Sequence, residues 1–177
     1  MEDKLPVCLL IFPEGTTYCE ETLDKSRQFA LKQGLQPPLY SLLPRTLGLY
    51  SCVSILNDQL DGIYDFTMAF PPPPSSNTSQ DLFYTIRNIY FKGWAPSKVY
   101  IHIRYIPRCE IPTEKKAFDD WLFELFRLKD AKLSYFRQNK TFLGKCYRTE
   151  QFQAFQQKYF LLFVFFSILS CAIIKYG

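Results

Sequence analysis

The sequence predicts an α/β domain, a mixed sheet flanked by helices, with a transmembrane helix at its C-terminus. Three patterns lead to this prediction. An unbroken apolar run over residues 6–12 is typical of a strand buried on both faces of a sheet. Residues 99–106 alternate with a period of two, as a strand with two different faces does. Residues 159–174 form an apolar run of 16 residues without a charge, which favours a membrane span.

The composition is that of a folded chain. Of the 177 residues, 47% are hydrophobic and 21% are charged, which argues against disorder. The net charge is only +4 and the basic residues are scattered, so we expect no nucleic-acid partner. The single histidine, His102, excludes a metal site that needs two or three imidazoles, and the 7 glycines are too far apart for a nucleotide-binding loop.

The first half of the chain predicts two helices and a second strand. The apolar run is followed by a predicted turn at residues 14–17 and a helix over residues 23–33, which Gly34 would cap and Pro37 and Pro38 would stop. Residues 39–43 predict a short strand, and residues 47–56 predict a helix.

The second half predicts two strands and a long helix. Residues 63–70 are rich in strand formers and end at four prolines, which begin an exposed loop over residues 71–79. Residues 99–106 predict the second strand. A long amphipathic helix then begins near Thr113, its predicted N-cap, and closes the core. Its apolar side carries Phe118, Trp121, Leu122, Leu125 and Phe126.

The C-terminal apolar run is short for a membrane span. Its 16 residues would cover about 24 Å as a helix, against a hydrocarbon core of about 30 Å, unless the flanking Lys158 and Lys175 reach the interface. The alternative is a buried core helix. Four basic residues precede the run and one follows it, which places the main domain in the cytosol. The preceding residues are Lys140, Lys145, Arg148 and Lys158. For a domain on that side of the membrane, we expect the 6 cysteines to be reduced and mostly buried.

The strongest local motif is Phe12-Pro13-Glu14-Gly15-Thr16, directly after the first apolar run. A strand that ends in a glycine turn presents a carboxylate, a hydroxyl and free backbone N–H groups at its carboxyl end. Ligands of α/β proteins bind at that end of the sheet. The motif therefore predicts a small polar binding site.

This motif resembles the FPEGT motif of the glycerophospholipid acyltransferases, the 1-acylglycerol-3-phosphate O-acyltransferase family, although Thr17 stands where that family commonly has Arg. Residues 41–46, SLLPRT, resemble a later motif of the branch that contains lysocardiolipin acyltransferase and the delta and epsilon lysophosphatidate acyltransferases. Four further segments are similar in the same order: LDGIYDFT at 60–67, VYIHIR at 99–104, WLFELFRLKD at 121–130 and FLGK at 142–145.

The resemblance implies transfer of a fatty acyl group from acyl-CoA to the hydroxyl of a lysophospholipid, in glycerophospholipid synthesis or remodelling. Glu14, Gly15 and Thr16 map onto the acceptor-binding motif, and Arg45 offers a permanently charged donor to a phosphate. The implied partners are lysophospholipid, acyl-CoA and a membrane. No cofactor is implied beyond acyl-CoA as co-substrate. The expected location is the endoplasmic reticulum, with a mitochondrial membrane as the alternative.

The resemblance also implies a general base that this sequence does not contain. In the family, a His-x-x-x-x-Asp motif lies well before FPEGT, whereas His102 lies after it and is followed five positions later by Pro107. We therefore assign no catalytic residue and expect His102 to be structural. Two explanations stay open: the C-terminal part of a longer acyltransferase, or a catalytically silent relative.

These expectations divide the chain into four parts. Residues 1–112 would form a partial acyltransferase α/β domain, incomplete at its N-terminus, and residues 113–139 the helix that closes it. Residues 140–158 would be a basic juxtamembrane linker, and residues 159–175 the transmembrane segment. The alternative function is a non-catalytic, membrane-anchored fragment that binds lipid or a partner. A tail-anchored scaffold without a lipid role would leave the six family-like segments unexplained.

Overall fold

The protein is described by a computed structural model over residues 8–71, 83–145 and 147. These residues form four helices and two strands, which confirms an α/β fold. Within the described ranges the sheet has two antiparallel strands, so the predicted mixed sheet is wrong there. In chain order they are α1 (Glu20–Lys32), α2 (Thr46–Leu56), β1 (Gly62–Ala69), α3 (Ile86–Lys92), β2 (Tyr100–Pro107) and α4 (Lys115–Asn139). Short 3-10 turns at Asn57–Gln59 and Arg108–Glu110 follow α2 and β2.

The chain divides into two compact units, Met1–Phe142 and Leu143–Gly177, and every element above lies in the first. Over the described ranges, no helix is both long and apolar enough to cross a bilayer. The predicted transmembrane segment 159–175 lies outside the described residues, and so does most of the predicted loop 71–79.

Strands β1 and β2 pair antiparallel, with Asp65 opposite Arg104 and Thr67 opposite His102. Both strands lie within one residue of their predicted bounds, and the predicted alternation on β2 is confirmed. One face of the pair packs against α4 and contains the buried Asp65 and Thr67. The opposite face is apolar and solvent-exposed, with Phe66 at 50% and Ile103 at 57% exposure.

The core forms where α4 packs against α2 and β1. Its buried residues are Val53, Ile106, Ile111, Phe118, Leu122, Leu125 and Phe126. The predicted apolar side of the long helix is thereby confirmed, with Trp121 partly buried against the cluster. The N-cap is Glu114 and not Thr113, because the Glu114 carboxylate accepts the N–H of Ala117 at 2.9 Å. Backbone N–H groups of Ala117 and Lys116 stabilise that carboxylate and lower the pKa of Glu114.

Helices α1 and α2 confirm the predicted helices at 23–33 and 47–56, although α1 begins three residues earlier. The predicted cap at Gly34 is correct: Gly34 has φ +68°, and the N–H of Leu35 donates to the carbonyl of Ala30 at 2.9 Å. Helix α3 was not predicted. Thr85 caps its start by accepting the N–H of Asn88 at 3.1 Å, a single local signal in a short segment.

Two predicted strands are wrong where the structure describes them. Residues 8–12 of the predicted strand 6–12 form no ladder, and Leu10 and Phe12 are each 73% exposed. A strand needs a neighbour for its backbone groups, and the described part of the chain places none beside this run. Residues 39–43 form a bent loop, because their N–H groups bond to side chains.

The expected burial of the cysteines is also wrong for the four whose surroundings the structure describes. Cys8 and Cys109 are exposed, and Cys19 and Cys52 are partly exposed; all four are free thiols. Cys19 is the N-cap of α1, where its backbone N–H donates to the Thr22 hydroxyl at 2.9 Å. The position of Cys19 therefore reflects the start of a helix and not the core.

Candidate functional site

The Phe12–Thr16 motif forms a tight turn. The N–H of Gly15 donates to the carbonyl of Phe12 at 3.2 Å, and Gly15 has φ +64°. This left-handed conformation is open to glycine at little cost, whereas a side chain there would be strained. Glu14 and Thr16 flank Gly15 in the same turn, with Glu14 partly buried and Thr16 exposed. The predicted turn is therefore present, although the strand expected before it is not.

Arg45 lies against this turn. Its backbone N–H donates to the carbonyl of Pro13 at 2.7 Å. A Cβ atom built on Gly15 would lie 3.0 Å from Cδ and 3.3 Å from Nε of Arg45, so the Arg45 side chain crosses the space that only glycine leaves open. The fold thus brings together two predicted site segments separated by 30 residues in sequence.

Arg45 is also the N-cap residue of α2, whose first helical residue is Thr46. The first turn of a helix carries N–H groups without intrahelical partners and the positive end of the helix dipole. Arg45 thus brings a positive side chain to Gly15 from the residue at which α2 begins. A planar guanidinium suits the oxygens of a phosphate, and the hydroxyl of Thr16 and carboxylate of Glu14 suit the hydroxyl groups of a polar head group.

The loop before Arg45 is held by both long helices of the unit. The Asp130 carboxylate on α4 accepts the N–H groups of Leu39, Tyr40 and Ser41 at 3.0, 2.7 and 2.8 Å, and the Ser41 hydroxyl at 3.0 Å. From α1, Arg27 donates through Nε to the carbonyl of Pro38 at 3.0 Å. Asp130 was not predicted as a site residue. The available signal was its place at the end of the family-like segment 121–130.

A second polar cluster lies between the sheet and α4. Lys129 forms an ion pair with the buried Asp65 and donates to the carbonyl of Phe66 at 2.8 Å. Asp65 Oδ2 and Thr67 Oγ1 are buried without a hydrogen-bond partner within the described ranges. The ion pair between Asp65 and the helix indicates a structural role for Asp65.

His102 belongs to the same region. Its Nδ1 lies 3.4 Å from Nζ of Lys132, and its ring is 5.9 Å from that of Phe142. Burial, and then the charge of Lys132, lowers the pKa of His102, while Asp65 acts in the opposite direction. Burial likewise lowers the pKa of Lys132. These contacts agree with the structural role predicted for His102.

The chain is similar in sequence to known acyltransferases. Residues 90–168 match the family model described as acyltransferase C-terminus. An uncharacterised acyltransferase of Schizosaccharomyces pombe is 36% identical over 138 residues, which are 78% of this chain and 39% of that protein. A probable 1-acyl-sn-glycerol-3-phosphate acyltransferase of Arabidopsis thaliana is 39% identical over 134 residues, 76% of this chain and 33% of that protein.

A lysocardiolipin acyltransferase of Danio rerio is 35% identical over 133 residues, 74% of this chain and 32% of that protein. The chain spans between 32% and 39% of the length of these curated relatives. No solved structure matches. The resemblance that the FPEGT and SLLPRT segments indicated is thus confirmed: residues 90–168 match the acyltransferase C-terminus family, and the similar proteins include 1-acyl-sn-glycerol-3-phosphate and lysocardiolipin acyltransferases.

Proposed function

We propose that this chain supplies the acceptor-binding part of an acyl-CoA-dependent lysophospholipid acyltransferase. The acceptor would be a lysophosphatidate or a related lysophospholipid, bound by Glu14, Gly15, Thr16 and Arg45. Acyl-CoA is the co-substrate, and no cofactor enters the proposal. The relatives are named for acyl transfer to glycerol phosphates and lysophospholipids, which supports the substrate class.

The observation that carries this proposal is the contact between Arg45 and the Pro13–Gly15 turn. Arg45 is bonded to this turn through its backbone, and its side chain lies against Gly15. Its guanidinium can bind the phosphate of a glycerol phosphate with two parallel hydrogen bonds. Glu14 and Thr16 flank Gly15 in the same turn and would bind the free hydroxyl. The site is solvent-exposed at Arg45, as a site for a lipid head group requires.

Binding of a soluble short-chain acceptor tests this directly. Hexanoyl lysophosphatidate, kept below its micelle concentration, would be titrated calorimetrically into the full chain in detergent. We expect Arg45→Ala to weaken binding by about tenfold or more, since a charged hydrogen-bonded pair contributes about 1.5–3 kcal/mol. Arg87→Ala, which removes an exposed arginine from α3, is the matched control and should change nothing. Equal binding by the wild type and Arg45→Ala would refute the assignment.

A second function, lipid binding without turnover, is favoured by the position of the single histidine. His102 contacts Lys132 and Phe142, and Pro107 occupies the position at which a His-x-x-x-x-Asp motif needs aspartate. A general base contributes about 10²–10⁴ in rate, so its absence would make turnover very slow. The endogenous gene product and this chain would each be assayed for acyl-CoA-dependent acylation of lysophosphatidate. Turnover by the endogenous product alone supports the enzyme; binding without turnover by both supports the second function.

We also propose that the protein acts at a membrane, with the described unit on the cytosolic side. The endoplasmic reticulum is the first expectation and a mitochondrial membrane the second. The charge-free run at 159–174 and the excess of basic residues before it support this. Extraction of cell membranes with alkaline carbonate should leave the protein in the pellet. Its release into the supernatant would contradict a membrane span.

A further inference from the structure

Asp130 holds the loop that leads to Arg45. We infer that Asp130 is a positioning residue for the acceptor site: it contacts no site residue itself, but its carboxylate fixes the backbone that places Arg45 over Gly15. This inference rests on the proposed function of Arg45. Asp130, the last residue of the family-like segment 121–130, would thus help to shape the acceptor site at residues 14–16 and 45, far away in sequence.

The first step is the unusual set of donors at Asp130. Three successive backbone N–H groups, from Leu39, Tyr40 and Ser41, point at one carboxylate, with donor–acceptor distances of 2.7–3.1 Å. Consecutive N–H groups converge in this way only when the backbone is curved around an anion. A strand would send alternate N–H groups to opposite sides. The charge on Asp130 therefore sets the bend that the loop adopts, and explains why residues 39–43 are not a strand.

The second step is that the chain cannot relax between Ser41 and Arg45. Leu42 is 4% exposed, and the N–H of Leu43 donates to the Ser26 hydroxyl at 2.8 Å. Pro44 is buried, and its ring fixes φ. The N–H of Arg45 then donates to Pro13. The four residues after the bend thus form a short, stiff connection, which couples the backbone position of Ser41 to that of Arg45.

The third step is that α4 is itself held to the sheet next to Asp130. Lys129, the residue before Asp130, pairs with the buried Asp65 on β1 and donates to the carbonyl of Phe66. Neighbouring residues of a helix point about 100° apart, so the two side chains reach different elements. Lys129 holds the helix to the sheet, and Asp130 holds the loop to the helix. Arg137, two turns further along α4, places its guanidinium 5.0 Å from the centre of the Tyr40 ring.

Amide hydrogen exchange of the full chain in detergent tests the positioning without any ligand. In Asp130→Asn the side-chain size is kept but the charge is lost, and an amide N–H2 group faces the loop donors. We expect exchange at Leu39, Tyr40, Ser41 and Arg45 to accelerate by about tenfold or more. Amides around Phe118 and Leu122 in α4 should stay protected, which shows that the helix remains folded. Asp120→Asn, an exposed site on the same helix, is the matched control and should accelerate none of them.

Affinity for a lipid distinguishes a positioning role of Asp130 from a purely structural one. For hexanoyl lysophosphatidate, Asp130→Asn should weaken binding, and Asp130→Asn combined with Arg45→Ala should bind no more weakly than Arg45→Ala alone. Additive losses would overturn the inference, because Asp130 would then act independently of Arg45. Unchanged exchange at Arg45 in Asp130→Asn would overturn it as well. If the wild type binds no lysophosphatidate, the proposed function fails, while exchange at Arg45 still decides whether Asp130 positions it.

Discussion

Asp65 on β1 and Lys129 on α4 form an ion pair that is almost completely shielded from water, with the side chains 5% and 14% exposed. The pair joins two of the family-like segments, 60–67 and 121–130, where α4 packs against β1. Burying both charges is costly, so the pair contributes specificity for this packing more than it contributes net stability.

Breaking this ion pair should destabilise the fold strongly. Lys129→Met leaves the buried Asp65 charge without its partner, which should lower the free energy of unfolding by about 3–5 kcal/mol in urea titration. Asp65→Leu combined with Lys129→Met should lose much less, because no charge is then left unpaired. Lys25→Met breaks the exposed Glu21–Lys25 pair and should have no measurable effect. A single mutant no less stable than the double mutant would contradict the buried pair.

Removing the buried hydroxyl of Thr67 should stabilise the fold, because this hydroxyl has no hydrogen-bond partner in the described part of the chain. Thr67→Val keeps the shape and the strand preference but removes the unpaired oxygen. We expect the free energy of unfolding to rise by about 1 kcal/mol. Thr67→Ser, which keeps the hydroxyl, should not reproduce the gain. A loss of stability in Thr67→Val would contradict an unpaired hydroxyl at this position.

The chain has one histidine, so its imidazole signals in NMR need no assignment by mutation. The pKa of His102 should lie below its ordinary value of 6.5 because of burial and of Lys132. Lys132→Met removes the neighbouring positive charge and should raise this pKa, whereas Lys116→Met, at an exposed position on the same helix, should not. An equal pKa in all three proteins would exclude the contact between His102 and Lys132.

The same shift has a defined sign for stability. Because the folded protein holds the His102 proton less tightly than the unfolded chain, the unfolded state binds more protons between the two pKa values. The contribution of His102 to the free energy of unfolding is therefore fully present above pH 6.5. It decreases as the pH falls from 6.5 through the lowered pKa of the folded protein. His102→Gln should flatten this part of a urea-midpoint profile, and an unchanged slope in the variant would assign the pH dependence to other groups.

Gly15 should tolerate no side chain. Gly15→Ala combines a positive φ with a Cβ that would lie 3.0 Å from Arg45 Cδ, so we expect both lower stability and weaker lysophosphatidate binding. Gly34→Ala is the matched control. Its φ is +68°, but a Cβ there meets nothing within 4 Å, so it should lose about 1 kcal/mol of stability and no affinity. Equal affinity for Gly15→Ala and Gly34→Ala would show that Arg45 does not need the space above Gly15.

Local patterns predicted most of the elements but not their contacts. The period of the apolar residues in 113–126 and 99–106 was enough to place α4 and β2, because a helix or strand must turn one set of side chains to the core. The strand predictions were wrong for residues 8–12 and 39–43, because composition reports a preference for an extended chain and cannot supply a neighbour for its N–H groups. Family-like motifs located Glu14, Gly15, Thr16 and Arg45 as candidates without indicating their geometry.

The sequence by itself determined the resemblance to the acyltransferases, the approximate bounds of α4, β1 and β2, and the glycine turn at Gly15. Only the tertiary structure decided that Arg45 lies across Gly15 and that Asp130 holds the loop before it. The physical reason is that a periodic pattern encodes which side of a segment is buried, whereas the partner of a backbone N–H or a carboxylate depends on segments far apart in sequence. Those partners follow from packing α4 against α2 and β1, where Lys129 and Asp130 reach two different elements from adjacent positions.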